Sequence, residues 1–313
     1  MGKKKNRLPK KVERIKFETH IAEMAEKIAV ITGATGGIGK EICKYLADNG
    51  YTIYASYRSE SKKDELLSAI NSHKREKFHF YKLDLTSLSS AESFCNCIKE
   101  SLNGQCISLL LNNAGMIADK FTITPDGYEK SMQVNYISPR RITENLLEHI
   151  DGKIINTISC TIHTANHNRA LRSAKGGFTP SDKPQPQGLF KRLIRYSDSK
   201  LMLALYTLSL ADRFNKRNTS AGTPKIEIYG ADPGIVDTGI ITMHSWYDPL
   251  ANIVFRPFIK RPAGGAAQII NAIKYDNSPL KMDDASSPLL FIRDKIKRFP
   301  RGITKKYGRI PEF

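Results

Sequence analysis

The stretch Lys27–Cys43, KIAVITGATGGIGKEIC, decides the fold of this chain. It begins with the apolar run Ile28–Ile31, continues through a turn rich in glycine, and is compatible with a helix from Ile38 onward. A short buried strand, a glycine turn and a helix that begins at the turn form a dinucleotide phosphate site. The spacing G-x-x-x-G-x-G differs from the G-x-G-x-x-G fingerprint, so the rest of the chain must support this interpretation.

The glycines of this turn have separate predicted roles. Two of them, Gly33 and Gly37, let the backbone turn tightly and approach a pyrophosphate, whereas Gly39 lets the helix pack close to the strand. The free N–H groups at the start of the helix face the anion. We therefore expect the turn to contact a cofactor through Gly33, Thr35, Gly37, Ile38 and Gly39.

Strand and helix patterns alternate after this turn. Strands are predicted at Tyr51–Ser56, Lys77–Leu83, Ile107–Leu111, Lys153–Ile158 and Lys225–Tyr229, and helices at Gly39–Asn49, Lys62–Asn71, Ser87–Ser101, Tyr128–His149 and Tyr196–Asn215. The alternation predicts an α/β class, a doubly wound Rossmann-like fold with a mostly parallel central sheet flanked by helices. Because ligands bind beyond the carboxyl ends of such strands, Gly33, Arg58, Asp84 and Asn112 are expected at one rim.

Composition predicts the domain organisation. Among 313 residues, 40% are hydrophobic, and no linker separates two apolar halves, so we expect a single domain over residues 26–284. Residues 1–25 are interpreted as a basic tail with a short helix, and residues 285–313 as a basic extension. Residues 160–195, rich in Arg and Lys, are predicted to form an extended loop at the active site.

The net charge of +18 is concentrated at the two ends of the chain. Residues 1–20 and 285–313 each hold eight Lys and Arg against two acidic residues, so together they carry 12 of the 18 charges. Basic tails favour solubility or peripheral contact with an anionic membrane, and both interpretations stay open. No nucleic-acid module is readable, which disfavours nucleic acid as a partner. A charged N-terminus without an apolar core predicts a cytoplasmic protein, with membrane association left open.

The five cysteines, an odd number, show no zinc-ligand pairing. We expect reduced, buried thiols. Two histidines, His163 and His167, lie four apart without an evident third ligand, so no metal site is predicted.

Two residues on a predicted helix indicate acid–base chemistry. Tyr196 and Lys200 lie four apart and share a helix face. Burial would raise the pKa of the phenol, whereas an ammonium and an oxidised nicotinamide nearby would lower it toward working pH. Such a tyrosine can give a proton to a carbonyl or take one from an alcohol. Ser159, at a strand end, is either a third participant or a turn residue.

Several motifs in fixed order resemble the short-chain dehydrogenase/reductase family over roughly residues 26–275. They are T-G-x-x-x-G-I-G at 32–39, Asp84, N-N-A-G at 112–115, Asn135, I-I-N-T-I-S at 154–159, Y-x-x-x-K at 196–200 and P-G at 233–234. The tract Pro233–Ile273 is similar to the retinol-dehydrogenase-like branch.

The resemblance implies a role for each catalytic residue. Ser159 would hold the substrate oxygen, Tyr196 would exchange the proton, and Lys200 would bind the nicotinamide ribose and acidify the tyrosine. The backbone carbonyl of Asn135 would bind a water that links the lysine to solvent. Pro139 adds a local reason, since it has no N–H to donate to that carbonyl.

Cofactor choice depends on the residue after the second strand. Arg58 suits the 2′-phosphate of NADP, so NADP(H) is favoured over NAD(H). The further cofactor contacts that the resemblance implies are Asp84, Leu85, Asn112, Ala114, Gly115, Tyr196, Lys200, Pro233, Gly234, Val236 and Thr238.

The sequence thus predicts an NADP-dependent oxidoreductase that transfers a hydride between NADP(H) and a carbonyl/alcohol substrate. An apolar lid is expected from Trp246, Tyr247, Phe255 and Phe258. The alternatives are a catalytically silent NAD(P)-binding scaffold and a binder of anionic surfaces through the basic tails. Substrate identity and a homo-oligomeric state stay open.

Overall fold

The computed structural model describes residues 26–179, 185–217, 226–234, 261–275, 289–292 and 295–298. The strands are β1 Lys27–Thr32, β2 Tyr51–Tyr57, β3 Phe78–Lys82, β4 Ile107–Asn112, β5 Lys120–Phe121, β6 Ile150–Thr157, β7 Gln185–Pro186, β8 Glu227–Asp232, β9 Leu289–Ile292 and β10 Lys295–Arg298. The predicted contacts Val236 and Thr238 and the predicted lid residues Trp246, Tyr247, Phe255 and Phe258 lie outside the described residues.

Helices connect most of these strands. They are α1 Gly37–Asp48, α2 Glu60–Ser68, α3 Leu88–Ser101, α4 Lys130–Met132, α5 Ser138–Leu146, α6 His167–Lys175, α7 Leu189–Arg217 and α8 Pro262–Lys274. A π-helical turn, Gln133–Ile137, joins α4 to α5.

The sheet is doubly wound, as predicted. Its order within the described residues is β10-β9-β8-β6-β4-β1-β2-β3, and β5 pairs separately with β7. Neighbouring strands from β3 to β9 are parallel, and β10 is antiparallel to β9. The chain runs from β1 outward to β3 and then returns to β4 on the other side of β1. This reversal opens a crevice at the carboxyl ends of β1 and β4.

Two apolar cores cover the two faces of the sheet. Along β1, Ile28 and Val30 face a core that includes Phe94 of α3 and Leu205 of α7. Ala29 and Ile31 face the other core, with residues of α1 and α8. Because both faces are buried, the strand is a continuous apolar run rather than an alternating one.

The prediction of a loop over residues 160–195 is wrong in part. A 3-10 turn at Cys160–Thr164 is followed by helix α6, and α7 begins at Leu189, ahead of the predicted start at Tyr196. The side chain of Asn166 caps α6 by accepting from the N–H of Arg169 at 3.0 Å. Ala170 and Ala174 are buried on one side of this helix, and the helix contacts α7. Short apolar residues at a four-residue spacing gave too weak a periodic signal to predict this helix.

Two other predictions can be compared with the structure. Only Cys43 and Cys95 are buried; Cys97 and Cys106 are exposed and Cys160 is half-buried, so the expectation of five buried thiols is wrong. The basic C-terminal extension contributes β9 and β10 to the sheet. Within the described residues, no helix combines the length and apolar character that crossing a bilayer requires.

Candidate active site

The glycine turn is packed against the end of β4. Gly33 has φ +68°, and a Cβ there would lie 2.8 Å from Cα of Ala114. A Cβ on Gly39 would lie 2.1 Å from the carbonyl oxygen of Gly33. The N–H of Gly33 donates to Oγ of Ser56 at 3.0 Å, which ties the turn to β2. Side chains at Gly33 and Gly39 are therefore excluded by backbone atoms.

A cleft of about 370 Å³ opens at this turn. The predicted cofactor contacts that line it are Gly33, Thr35, Gly37, Ile38, Gly39, Arg58, Asp84, Leu85, Ala114 and Gly115. Residues that line it and were not predicted are Gly36, Ser56, Tyr57, Ser59, Lys62, Leu83, Thr86, Asn113, Met116 and Val134. Many of these are sequence neighbours of predicted residues. For Lys62 the sequence offered one signal, which is that a second basic residue lies four positions after Arg58.

Asn112 is not at the cleft. Its side chain is buried, and its Nδ2 donates to Oγ1 of Thr143 at 2.9 Å and to Oδ1 of Asn156 at 2.8 Å. Asn156 in turn donates to Oγ1 of Thr207 at 2.9 Å. The first asparagine of N-N-A-G thus links β4 to α5 and β6, while the second, Asn113, lines the cleft.

The end of the cleft beside β2 is basic. Arg58 and Lys62 are both exposed and line it. The nearby acidic residue Glu60 is held by Lys63 at 2.5 Å, and hydrogen bonds with Lys63 and Tyr57 lower the pKa of its carboxyl. Asp84 turns Oδ1 toward the N–H and the hydroxyl of Thr86, at 2.9 and 2.8 Å. This end is therefore suited to an anionic group.

Helix α7 carries Tyr196 and Lys200 on one face, as their spacing predicted. Nζ of Lys200 donates to the carbonyl of Thr157, at the end of β6, at 2.7 Å and lies 5.8 Å from the ring centre of Tyr196. The side chains of Tyr196 and Ser159 are hydrogen-bonded. Ser159 also accepts from Oγ1 of Thr161 at 3.1 Å. The structure thus brings Ser159, Tyr196 and Lys200 together.

Burial sets the protonation states of this cluster. It raises the pKa of the Tyr196 phenol above its ordinary value, and the hydrogen bond with Ser159 partly opposes that rise. Burial also lowers the pKa of Lys200 to about 8, while the carboxylate of Asp232 raises it. Near neutral pH the site therefore holds a protonated phenol beside an ammonium.

Asn135 lies in the π-helical turn. Its Oδ1 accepts from the N–H of Met116 at 2.8 Å, and its Nδ2 donates to the carbonyl of Met116 and to Oγ of Ser199, both at 2.9 Å. The side chain thus ties the chain after β4 to α7. Since Pro139 has no N–H, the carbonyl of Asn135 lacks the donor that a regular helix supplies.

Gly115 joins the cleft to the cluster. A Cβ on Gly115 would lie 3.2 Å from Nζ of Lys200 and 3.4 Å from Oδ1 of Asn135. Pro233 and Gly234 follow β8 at the same edge of the sheet, and the N–H of Gly234 donates to Oδ1 of Asp232 at 2.9 Å. One rim therefore holds both a cleft shaped by glycines and the cluster of Ser159, Tyr196 and Lys200.

Known proteins share this arrangement of elements. The family profile described as short chain dehydrogenase matches residues 27–179. An uncharacterized oxidoreductase of Schizosaccharomyces pombe is 30% identical over 79% of this chain and 71% of its own length. Retinol dehydrogenase 12 of Bos taurus is 30% identical over 77% of this chain and 71% of its own length.

A solved structure extends the likeness to the fold. The NADPH-bound carbonyl reductase from chicken fatty liver superposes with a TM-score of 0.59 and 17% identity, covering 88% of this chain and all of that one. Together with the sequence relatives, this shows that the chain belongs to the short-chain dehydrogenase/reductase family of NAD(P)-dependent oxidoreductases and is similar to its retinol-dehydrogenase-like branch.

Proposed function

We propose that this protein reduces a carbonyl substrate, or oxidises the corresponding alcohol, with NADP(H) as cofactor and Tyr196 as the proton-exchanging residue. The single observation that carries the proposal is the position of Gly115, which lines the cleft and lies so close to Lys200 that a Cβ there would be 3.2 Å from Nζ. A cofactor that lies along the cleft as far as Gly115 would therefore lie next to Lys200 and Tyr196.

The residues of the cleft fit a phosphorylated dinucleotide. The glycine turn presents the N-terminus of α1, where free N–H groups stabilise a pyrophosphate. Arg58 and Lys62 supply two cations at the β2 end, and the acidic residue nearby, Glu60, is already paired with Lys63. A 2′-phosphate would be stabilised there, whereas a 2′-hydroxyl would lack a free carboxylate partner. When bound, the cofactor supplies or accepts the hydride.

The acid–base residues have complementary tasks. Ser159 is positioned to donate to a substrate oxygen, since its hydroxyl already lies within hydrogen-bonding reach of Tyr196. Tyr196 holds its proton at neutral pH and can give it to a carbonyl oxygen that gains negative charge. Lys200, held at the carbonyl of Thr157, places a positive charge near the phenol and favours its ionisation as the proton leaves.

The substrate we propose is an apolar aldehyde, ketone or alcohol. A relative with 30% identity is named retinol dehydrogenase, and retinol is an apolar alcohol. The screen that tests this class follows NADPH absorbance with retinaldehyde, sterol ketones, aliphatic aldehydes and small polar carbonyls. A preference for the polar compounds would contradict the apolar class while leaving the oxidoreductase proposal intact.

The experiment that tests the mechanism replaces one hydroxyl. Tyr196→Phe keeps the ring and should leave NADPH affinity nearly unchanged, while turnover of the best substrate should fall by about 10²–10⁴-fold. Tyr206→Phe, ten residues along the same helix, is the matched control, because its hydroxyl contacts Glu144 at 3.0 Å. Full turnover by Tyr196→Phe would refute the assignment. Tight NADPH binding without turnover of any carbonyl would favour the silent scaffold.

A further inference from the structure

Asp232 is a buried carboxylate at the edge of the sheet that holds the acid–base residues. It is the last residue of β8 and is 3% exposed. The strand register places it beside β6, because Ala231 pairs with Thr157 and the carbonyl of Ala231 accepts from the N–H of Ile158 at 2.9 Å. Thr157 is the residue whose carbonyl holds Nζ of Lys200. Asp232 thus directly follows Ala231, the residue that pairs with Thr157, and the carbonyl of Thr157 binds Lys200.

The carboxylate is also fixed in orientation. Its Oδ1 accepts from the N–H of Gly234 at 2.9 Å, within the Pro233–Gly234 turn. A buried charge is costly unless opposite charges or hydrogen bonds stabilise it. The 2% exposed ammonium of Lys200 is a buried positive charge at the same edge. The negative charge of Asp232 raises the pKa of Lys200, so the two buried charges stabilise each other.

The other titratable groups that face this region are few among the described residues. Helix α7 contributes Tyr196 and Lys200, and the 3-10 turn after β6 contributes Cys160. On α7, the carboxylate of Asp198 accepts hydrogen bonds from Arg169 and from the N–H of Asn166. On the other side, β9 places Ile292 opposite Asp232. Asp232 is thus the carboxylate that acts on both Tyr196 and Lys200, and it raises the pKa of each.

We propose that Asp232 is a positioning residue whose negative charge keeps both Tyr196 and Lys200 protonated, which favours giving a proton to a carbonyl over taking one from an alcohol. This inference rests on the proposed oxidoreductase function for its catalytic consequence. Its physical part, the charge state of Lys200, can be measured without any substrate.

The first test is a titration of Lys200. Protein carrying carbon-13-labelled lysine is followed by NMR across pH, and the Lys200 signal is identified by its loss in Lys200→Met. In Asp232→Asn, which keeps an oxygen for the N–H of Gly234, the midpoint for Lys200 should fall by about one pH unit or more. Asp232→Ser, which also keeps an acceptor, serves if the first variant does not fold.

The matched control removes a carboxylate from the other end of the same strand. Glu227→Gln changes the charge of β8 by the same amount, but Glu227 lies beside Lys153, at 4.0 Å. It should leave the midpoint for Lys200 unchanged. An unchanged midpoint in both Asp232 variants, or an equal shift in Glu227→Gln, would overturn the proposal.

The second test is catalytic. In Asp232→Asn the basic limb of the pH profile for carbonyl reduction should move to lower pH, and the ratio of alcohol oxidation to carbonyl reduction at fixed pH should rise. A shifted lysine titration with an unchanged direction ratio would overturn the catalytic part. Absence of any turnover would instead count against the proposed function, since the lysine titration does not depend on it.

Discussion

Arg169 and Asp198 join the segment after β6 to α7, the helix that carries Tyr196 and Lys200. The guanidinium makes two contacts with the carboxylate, from Nη2 to Oδ1 at 2.9 Å and from Nε to Oδ2. The N–H of Asn166 donates to the same carboxylate at 2.9 Å. Since Asp198 lies between Tyr196 and Lys200 in sequence, these contacts hold α7 against α6 at the level of the active site.

Loss of this ion pair should reduce stability. Asp198 is 3% exposed while Arg169 is 43% exposed, so Arg169→Ala leaves a buried carboxylate with one hydrogen bond from Asn166. We expect the free energy of unfolding to fall by about 1–3 kcal/mol in urea denaturation. Arg213→Ala is the control, because Arg213 is 40% exposed but its partner Glu144 is 35% exposed, and it should cost less than about 1 kcal/mol. Equal losses would contradict the role of partner burial.

The glycine turn should tolerate a methyl group at one position and reject it at another. In Gly39→Ala the new Cβ would overlap the carbonyl oxygen of Gly33, at 2.1 Å, and we expect a loss of about 2 kcal/mol or more with weakened NADPH binding. Gly36→Ala places its Cβ 3.4 Å from the same oxygen and should fold normally. Thermal unfolding measures both. A Gly39→Ala protein as stable as the wild type would refute the close approach.

Cofactor preference should depend on two cations at the β2 end of the cleft. Arg58→Ala and Lys62→Ala should each weaken NADPH binding, measured by fluorescence titration, and leave NADH affinity nearly unchanged. The reason is that only NADPH carries the 2′-phosphate. Lys44→Ala is the control, since Lys44 pairs with Glu41 on α1 and does not line the cleft. Equal affinities for NADPH and NADH in the wild type would contradict the prediction at once.

The buried lysine should make stability depend on pH. Burial lowers the pKa of Lys200 from 10.5 to about 8, so between these values the unfolded chain binds more protons and the free energy of unfolding rises with pH. Below pH 8 the buried ammonium costs about 3 kcal/mol. Lys200→Met removes this titration but also leaves Asp232 without the ammonium, so the stability of the variant relative to the wild type should be highest below pH 8 and fall by about 3 kcal/mol toward pH 10.5. A difference in the free energy of unfolding between variant and wild type that stays constant with pH would contradict this prediction.

Local sequence patterns were sufficient for the features that depend on neighbouring residues. The strand, turn and helix of Lys27–Cys43 follow from apolar periodicity and glycine spacing, and the shared face of Tyr196 and Lys200 follows from the helical repeat. The alternation of elements likewise predicted the doubly wound sheet. Each element needs only information from neighbouring residues, and the sheet follows from the order in which the elements alternate.

Tertiary structure decided the features that depend on residues far apart in sequence. Whether Asn112 or Asn113 faces the cleft was set by the buried partners Thr143 and Asn156. The helix α6 within the predicted loop is stabilised by burial of Ala170 and by the pairing of Arg169 with Asp198. The sequence by itself determined the fold and the shared helix face of Tyr196 and Lys200. Their protonation states were decided by the folded protein, because the strand register brings the charge of Asp232 to Lys200 and burial removes water from both.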